Sequence, residues 1–371
     1  MKKKIAVIFG GRSAEHDVSI ITAYTPIINS LIAAGSYDIY PIYIAKDNSW
    51  YSTPEMSKID FFKGDYEKRL GKKLKLSFDN GLNIIWPGIV EKKIKIDVVF
   101  PAMHGTYGED GSLMGILRMA DVAFVGCDMS SSAVAMDKVF TKQVLSVEGI
   151  PVVPYVWFSK GDKVKDTSSL KMPLFVKPVH LGSSIGISKV KDQRELADAI
   201  EVAFHYDDKV LVEESVDNLI EVTLPIMGND NPQPALIERA VNKSEFFDFS
   251  DKYLSDGKKG AKTELPAKIG VELSKRVIDL GLESYKVLGC SGTARVDFLI
   301  DGRTEQVYVN EINTLPGSLY HHNWRAFGIS PIELVNKLIK LAEERFDSTK
   351  EITYLFETDI LKMTGKGKGG K

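Results

Sequence analysis

The chain opens with a short apolar run, Ile5-Ala6-Val7-Ile8-Phe9, that stops at Gly10-Gly11. A continuous apolar run bounded by glycine predicts a strand buried on both faces. Helical spacing of apolar positions predicts a helix over 18–34, ended by Gly35. Ile39–Ile44 and Ile96–Phe100 predict further strands. Short buried strands separated by helices imply a parallel sheet covered on both faces. Residues 47–95 are charged and irregular, an elaboration with short strands near Leu74–Phe78 and Leu82–Trp86. Met129–Val147 reads as one helix closed by Gly149, and Pro151 and Pro154 mark a domain junction.

The pattern then changes. Strands are expected at Leu174–Lys177, Ile185–Val190 and Lys209–Glu213, with a helix over Arg194–Phe204, which makes a small α+β unit. Strands over Leu219–Met227 and Ala235–Val241 follow, then a polar Gly- and Lys-rich loop over 243–262. A helix over Val271–Leu288 ends at Gly289. Thr293–Ile300 and Gln306–Ile312 form a hairpin-like pair. The last helix opens on Ser330-Pro331-Ile332-Glu333, a capping box.

At 371 residues the chain exceeds one typical domain, so two or three are expected. Hydrophobic content of 44% and charged content of 26% are ordinary for a globular protein. A formal net charge of -2 gives no general attraction to nucleic acid or anionic membrane, so neither is expected as a partner. Cys127 and Cys290 are the only cysteines and lack a metal spacing, which points to a reducing cytoplasm. The first apolar run is too short for a secretion signal, and no stretch reads as long enough to span a bilayer.

The densest chemistry lies in Asn310-Glu311-Ile312-Asn313-Thr314-Leu315-Pro316-Gly317 and, upstream, Arg295-Val296-Asp297. On a strand, residues two apart share a face. Glu311 and Asn313 then offer two oxygens side by side, and Asp297 a third, a set suited to Mg²⁺ shared with nucleotide phosphates. An acidic strand end facing water is the plainer alternative. Arg295 shares a face with Asp297 and fits an oxyanion stabiliser or a structural ion pair; Gly317 could add a backbone donor. Lys177 ends a buried strand, so it must meet water or an anion. Five residues later, Gly182-Ser183-Ser184-Ile185-Gly186 exposes amides and hydroxyls able to cover phosphates. Lys138 is the second phosphate candidate, and Lys252, beside Tyr253 in the polar loop, could swing onto a transferred phosphoryl group. Val210-Leu211-Val212-Glu213-Glu214 reads as a hinge strand for an adenine ring, with Glu221 for ribose hydroxyls, or else as an acidic edge strand.

Two further loops follow strands of the first sheet, where open α/β sheets place ligands. Gly10-Gly11-Arg12-Ser13-Ala14-Glu15 is not a dinucleotide fingerprint; Glu15 either caps the helix or binds a substrate ammonium. His104-Gly105-Thr106-Tyr107-Gly108-Glu109-Asp110-Gly111 suits close approach to a ligand, with Glu109 and Asp110 also placed to cap the next helix.

This ordered set, with Met136-Asp137-Lys138 and Lys252-Tyr253-Leu254-Ser255, resembles the D-alanine–D-alanine ligase family of the ATP-grasp superfamily, over residues 5 to about 345. The resemblance implies an α/β and α+β chain with the ATP-grasp fold. An N-terminal Rossmann-like open parallel sheet domain would span 1–137, a small central ATP-grasp subdomain 138–221, and a C-terminal ATP-grasp domain with the metal and catalytic residues 222–348. A tail over 349–371 would end in disorder. MgATP would lie between the last two domains, its phosphates on Lys138, Lys177, Ser184 and Lys252, its adenosine near Glu213, Glu214 and Glu221. Asp297, Glu311 and Asn313 would hold two Mg²⁺ ions, with Mn²⁺ able to substitute. Glu15 would bind the first D-amino acid's ammonium; Glu15, Ser183 and Tyr253 would close the loop over the site. Arg295 and Gly317 would stabilise the oxyanion, and His104 would orient the second substrate or assist its deprotonation.

The resemblance further implies an acyl phosphate intermediate, a role in peptidoglycan precursor synthesis and a homodimer. Three departures stand out. Met114 replaces the family's usual Gln and Arg118 its Glu, changes expected to affect packing or a subunit contact. Ser318–Trp324 replaces the segment whose serine grips the second substrate's carboxylate, which puts His322 at that place. D-Alanine is the default acceptor, with D-serine or D-lactate as alternatives and a non-catalytic nucleotide-binding homologue as the rival. Tyr253 matches the dipeptide-forming type.

Overall fold

The computed structural model describes residues 2–162, 166–241, 262–358 and 360. Among these residues there are four sheets. The first strand, Lys3–Gly10, lies at the centre of a five-stranded sheet. Its neighbours, Tyr37–Ile44 and Val98–Pro101, run parallel to it, and Ala123–Phe124 continues the parallel set. Trp50–Tyr51 adds an antiparallel edge that was not expected. Ile5, Val7 and Phe9 enter one core, Ala6 and Ile8 another, and all five are fully buried. Period-two alternation across a sheet covered on both faces accounts for the unbroken apolar run.

Helix His16–Ala34 covers one face, with a π-helical stretch over Ala23–Ile28 that contains Pro26. Proline lacks the N–H that would close a regular turn, and the wider turn accommodates it. This helix is long and apolar enough to span a membrane by length and composition, contrary to the sequence expectation, but 56% of that window is buried in the protein. Its apolar residues Ile20, Tyr24, Ile27 and Leu31 pack into the same core as Ile5 and Phe9. Residues 75–95 form a three-stranded sheet, one strand more than expected.

The second sheet orders Ser188–Val190, Leu174–Pro178, Lys209–Glu214 and Tyr155–Ser159, all antiparallel, with helix Leu196–Tyr206 against it. The acidic strand Lys209–Glu214 is therefore central, not an edge. The third sheet is built on Leu219–Met227, Thr293–Asp301 and Val307–Asn313, antiparallel and backed by helix Val271–Val287. The hairpin-like pair is thus real.

The single helix expected over Met129–Val147 is two, Met129–Met136 and Lys138–Val147. Asp137 breaks it. Its backbone is extended (φ -84°, ψ 102°), and its carboxylate accepts from the amides of Val139 and Phe140, both at 2.8 Å. An aspartate at an N-cap competes with helix continuation by bonding these otherwise unpaired donors. The break puts Lys138 on the first helical residue. The capping box at Ser330 and Glu333 is present.

Candidate active site

Loops from the three larger sheets meet at one place. From the first sheet comes Glu15, directly before helix His16–Ala34. Its side chain makes no cap hydrogen bond to that helix, which removes the capping alternative. Instead it accepts from the Ser183 hydroxyl of the second sheet's loop. A Cβ on Gly182 would stand 3.5 Å from Glu15 Oε2, and one on Gly105 only 3.0 Å from it and 2.6 Å from Ser13 Oγ. Gly105 also has φ +66°, so the site needs glycine there for both space and conformation. Burial, and then the charge of Glu109, raise the Glu15 pKa above its ordinary value. The field of Glu311 from the third sheet acts in the same direction.

His104 is 4% exposed, with Nε2 2.8 Å from Thr22 Oγ1 and Nδ1 3.5 Å from Glu109 Oε1. Glu109 Oε2 accepts from the Gly105 amide at 2.9 Å, so Glu109 holds the loop and orients His104. Asp110 accepts from the amides of Tyr107 and Ser112 at 2.7 and 2.9 Å, as the capping alternative expected. Thr22 was not anticipated. Its hydroxyl oxygen also accepts from the Ser318 amide at 3.1 Å, joining the His104 loop to the turn after Gly317.

Four residues of the third sheet share a face. Register pairs Arg295 with Asn313 and Asp297 with Glu311. The register shift between Asp297 and Phe298 leaves Asn310 out of the pairing and turns Glu311 and Asn313 together toward the other pair. Arg295 donates to both Asp297 oxygens at 2.7 and 2.6 Å, and Asn313 Nδ2 donates to Asp297 Oδ2 at 3.0 Å. Burial alone would lower the Arg295 pKa, but the Asp297 charge holds it well above its ordinary value. Tyr320 stacks on the guanidinium, 5.1 Å from ring centroid to Cζ.

Gly317 opens the turn Gly317–Tyr320, with nothing within 4 Å of where its Cβ would stand. The next three residues, Ser318, Leu319 and Tyr320, are all left-handed at φ 50–52°. That conformation costs an L-residue about 1–2 kcal/mol. Burial of Leu319 (2% exposed) and the Thr22 bond hold the turn in place. His322 places Nε2 2.7 Å from Glu238 Oε2. Burial pushes the Glu238 pKa up, but the hydrogen bond and charge of His322, with hydrogen bonds from Thr263 and Asn323, together hold it below its ordinary value.

The lysines gather beside this face. Lys138 Nζ donates to the Leu181 carbonyl at 2.8 Å and lies 3.8 Å from Glu311 Oε2. Lys177 donates to Glu213 Oε1, and Lys142, unanticipated and 1% exposed, places Nζ 2.9 Å from Glu213 Oε2. Lys138 and Lys142 are four residues apart on one helix, a spacing that could have revealed the second. Ser183 and Ser184 are left-handed at φ 54° and 60°. The amides of Glu214 and Ser215 already donate to the carbonyls of Pro154 and Pro173, so an adenine edge there would be left with carbonyl oxygens. The Glu214 carboxylate accepts from the Lys171 amide at 3.0 Å. Glu221 is half-buried on Leu219–Met227, opposite Leu299. Lys252 and Tyr253 lie outside the described residues.

Residues 4–127 match the model of the D-ala D-ala ligase N-terminus, and residues 144–340 that of the C-terminus. The chain belongs to the D-alanine–D-alanine ligase family. A protein named D-alanine--D-alanine ligase from Clostridium novyi (strain NT) is 40% identical over 358 residues, 93% of this chain and 99% of that protein. A D-alanine-D-alanine ligase structure from Coxiella burnetii superposes with a TM-score of 0.83 at 31% identity, covering 94% of this chain and 96% of that one. VanG D-Ala:D-Ser ligase from Enterococcus faecalis gives 0.77 at 33% identity, covering 92% and 100%. Against the D-alanine–D-alanine ligase pattern, Met114 is a fully buried core residue, and Arg118 pairs with Asp128 at 2.7 Å.

Proposed function

We propose that this chain is an ATP-dependent ligase that joins two D-amino acids, D-alanine by default, through an acyl phosphate. The observation that carries the reading is the convergence of Glu15, His104, Lys138 and the face Arg295, Asp297, Glu311 and Asn313 on one site. The face fits Mg²⁺. Asn313 gives its amide N–H to Asp297 and keeps its carbonyl oxygen for a cation, while Asp297 and Glu311 are hard oxygen donors on paired strands. When bound there, Mg²⁺ would neutralise charge on the transferred phosphoryl group.

Lys138 and Lys177 hold phosphates beside the Ser183–Ser184 turn. Glu15 receives the first amino acid's ammonium and leaves that amino acid's carboxylate to attack the terminal phosphate. Phosphorylation converts a poor leaving group into phosphate. The second amine then attacks the acyl carbon, and Arg295 with the Gly317 amide stabilises the oxyanion. His104, fixed by Thr22 and Glu109, orients the second substrate. Because the acyl phosphate hydrolyses in water, the site must close, and the Ser183–Glu15 bond is one part of that closure. We place the product in peptidoglycan precursor supply and the enzyme in the cytoplasm as a homodimer.

A second acceptor, D-serine, is favoured by one feature. The His322–Glu238 pair puts a polar, hydrogen-bonding couple where a lone hydroxyl is expected. The test is amino-acid-dependent phosphate release with mass spectrometry of products from mixed D-alanine, D-serine and D-lactate. D-Alanyl-D-alanine as the main product supports the default. No phosphate release with any D-amino acid would leave only a nucleotide-binding protein.

A further inference from the structure

His180 sits three residues after Lys177 and two before Gly182, with two buried carboxylates around it. Its Nδ1 lies 2.9 and 3.2 Å from the oxygens of Asp207, and its Nε2 lies 3.2 Å from Asp137 Oδ2. Its backbone amide donates to Asp207 Oδ2 at 2.6 Å. The Asp137 and Asp207 side chains are each 6% exposed. Ionised carboxylates only accept, and a neutral imidazole donates from one nitrogen only. Both contacts are made together only by the doubly protonated ring.

We propose that His180 is a positioning residue for the nucleotide, a cationic clasp that ties the start of the 182–186 loop to the helix carrying Lys138. Asp137 is the hinge of the clasp. One oxygen caps that helix through Val139 and Phe140; the other takes His180 and Lys209, whose Nζ is 2.7 Å away. Lys138 closes the circuit by donating to the carbonyl of Leu181, the residue after His180. Two cations, His180 and Lys209, thus balance Asp137 and Asp207, with Asp208 exposed at the rim. When the imidazolium loses its proton, one carboxylate contact is lost; Asp137 keeps the Lys209 ammonium, while Asp207 keeps only backbone amides, those of His180 and Lys209 among them. The hydrogen bonds to Asp137 and Asp207 push the His180 pKa up to about 9. The clasp is therefore whole through neutral pH and opens as pH rises through that value.

The inference rests on the nucleotide site proposed above. Two variants test it. His180→Gln removes the charge, and His180→Arg keeps a cation that does not titrate in this range. For the wild type, KM for ATP in D-alanine-dependent phosphate release should rise as pH passes about 9. The Gln variant should show KM for ATP raised about tenfold already at neutral pH, with kcat within about twofold, as for a lost charged hydrogen bond. The Arg variant should keep the low KM and lose the alkaline rise. A Gln variant with the wild-type KM and profile, or an Arg variant with the same alkaline rise, overturns the assignment. Calorimetric titration of the same proteins with ADP separates the two readings. If the wild type releases no phosphate, the ligase reading fails, but weaker ADP binding in Gln restored in Arg still supports the clasp. Equal binding in all three refutes it.

Discussion

Glu213→Gln tests the electrostatics beside the site on stability alone. The carboxylate is 1% exposed and lies between Lys177 and Lys142, whose own side chain is 1% exposed. Burial by itself would favour the protonated acid; the two ammonium groups overcome it and pull the pKa down from 4.5 to about 2. At about 1.4 kcal/mol per unit, this contributes about 3 kcal/mol to folding at neutral pH. Cutting one partner from a buried ion pair independently predicts a loss of about 3–5 kcal/mol. The sign is that of a depressed carboxyl: its contribution is complete above about pH 4.5 and disappears as pH falls through about 2. Urea unfolding followed by tryptophan fluorescence should show the Gln variant about 3 kcal/mol less stable at pH 7, the gap narrowing as the buffer is acidified. Lys142→Met should cost less, because Lys177 still pairs the carboxylate. A gap under about 1 kcal/mol at neutral pH, or one indifferent to acid, would refute the reasoning.

Three further substitutions probe the catalytic face. Arg295→Ala should lower kcat about 10²–10³-fold, the loss expected of an oxyanion donor, while ATP binding measured by calorimetry stays within about threefold; equal loss of both would make it a structural arginine. Gly105→Ala forces a Cβ to 2.6 Å from Ser13 Oγ and 3.0 Å from Glu15 Oε2, so KM for the first D-alanine should rise more than KM for ATP, and unchanged kinetics would place Glu15 away from the substrate. His322→Ser should raise the D-alanine share of products in acceptor competition read by mass spectrometry; an unaltered product ratio removes His322 from the acceptor pocket.

The chain's periodicity disclosed the first sheet well, because a strand covered on both faces must be apolar throughout, as Ile5 to Phe9 are. It disclosed the polar cluster of the third sheet too, since a two-residue repeat is enough to put Arg295 with Asp297 and Glu311 with Asn313. It did not disclose the break at Asp137. Apolar spacing continues across that position and hides the local cap to Val139 and Phe140, and the partners of the second carboxylate oxygen, His180 and Lys209, are distant in sequence. Thr22 and Lys142 were missed for a related reason. Each lies within a helix that looks complete without it, and only tertiary contact with Ser318 or Glu213 gives it a task. The antiparallel edge Trp50–Tyr51 is too short to carry a pattern.

The site is also where the fold tolerates opposition. Burial raises the Glu15 pKa, and the charges of Glu109 and then Glu311 push it the same way. A carboxyl whose pKa is raised on folding binds protons more readily in the native state, so its ionisation works against stability at neutral pH. The Glu15 side chain makes no cap hydrogen bond to its helix. The repulsion has a use only if a cation arrives. An ammonium at Glu15 and a divalent ion at Glu311 would each relieve it, so binding energy at these two points adds to the native state's stability in proportion to occupancy. Glu15 and Glu109 come from loops of the first sheet and Glu311 from a strand of the third, in a site that Thr22, Ser183 and Lys138 help to join. A bound ligand of opposite charge would therefore draw together the elements that carry these like charges.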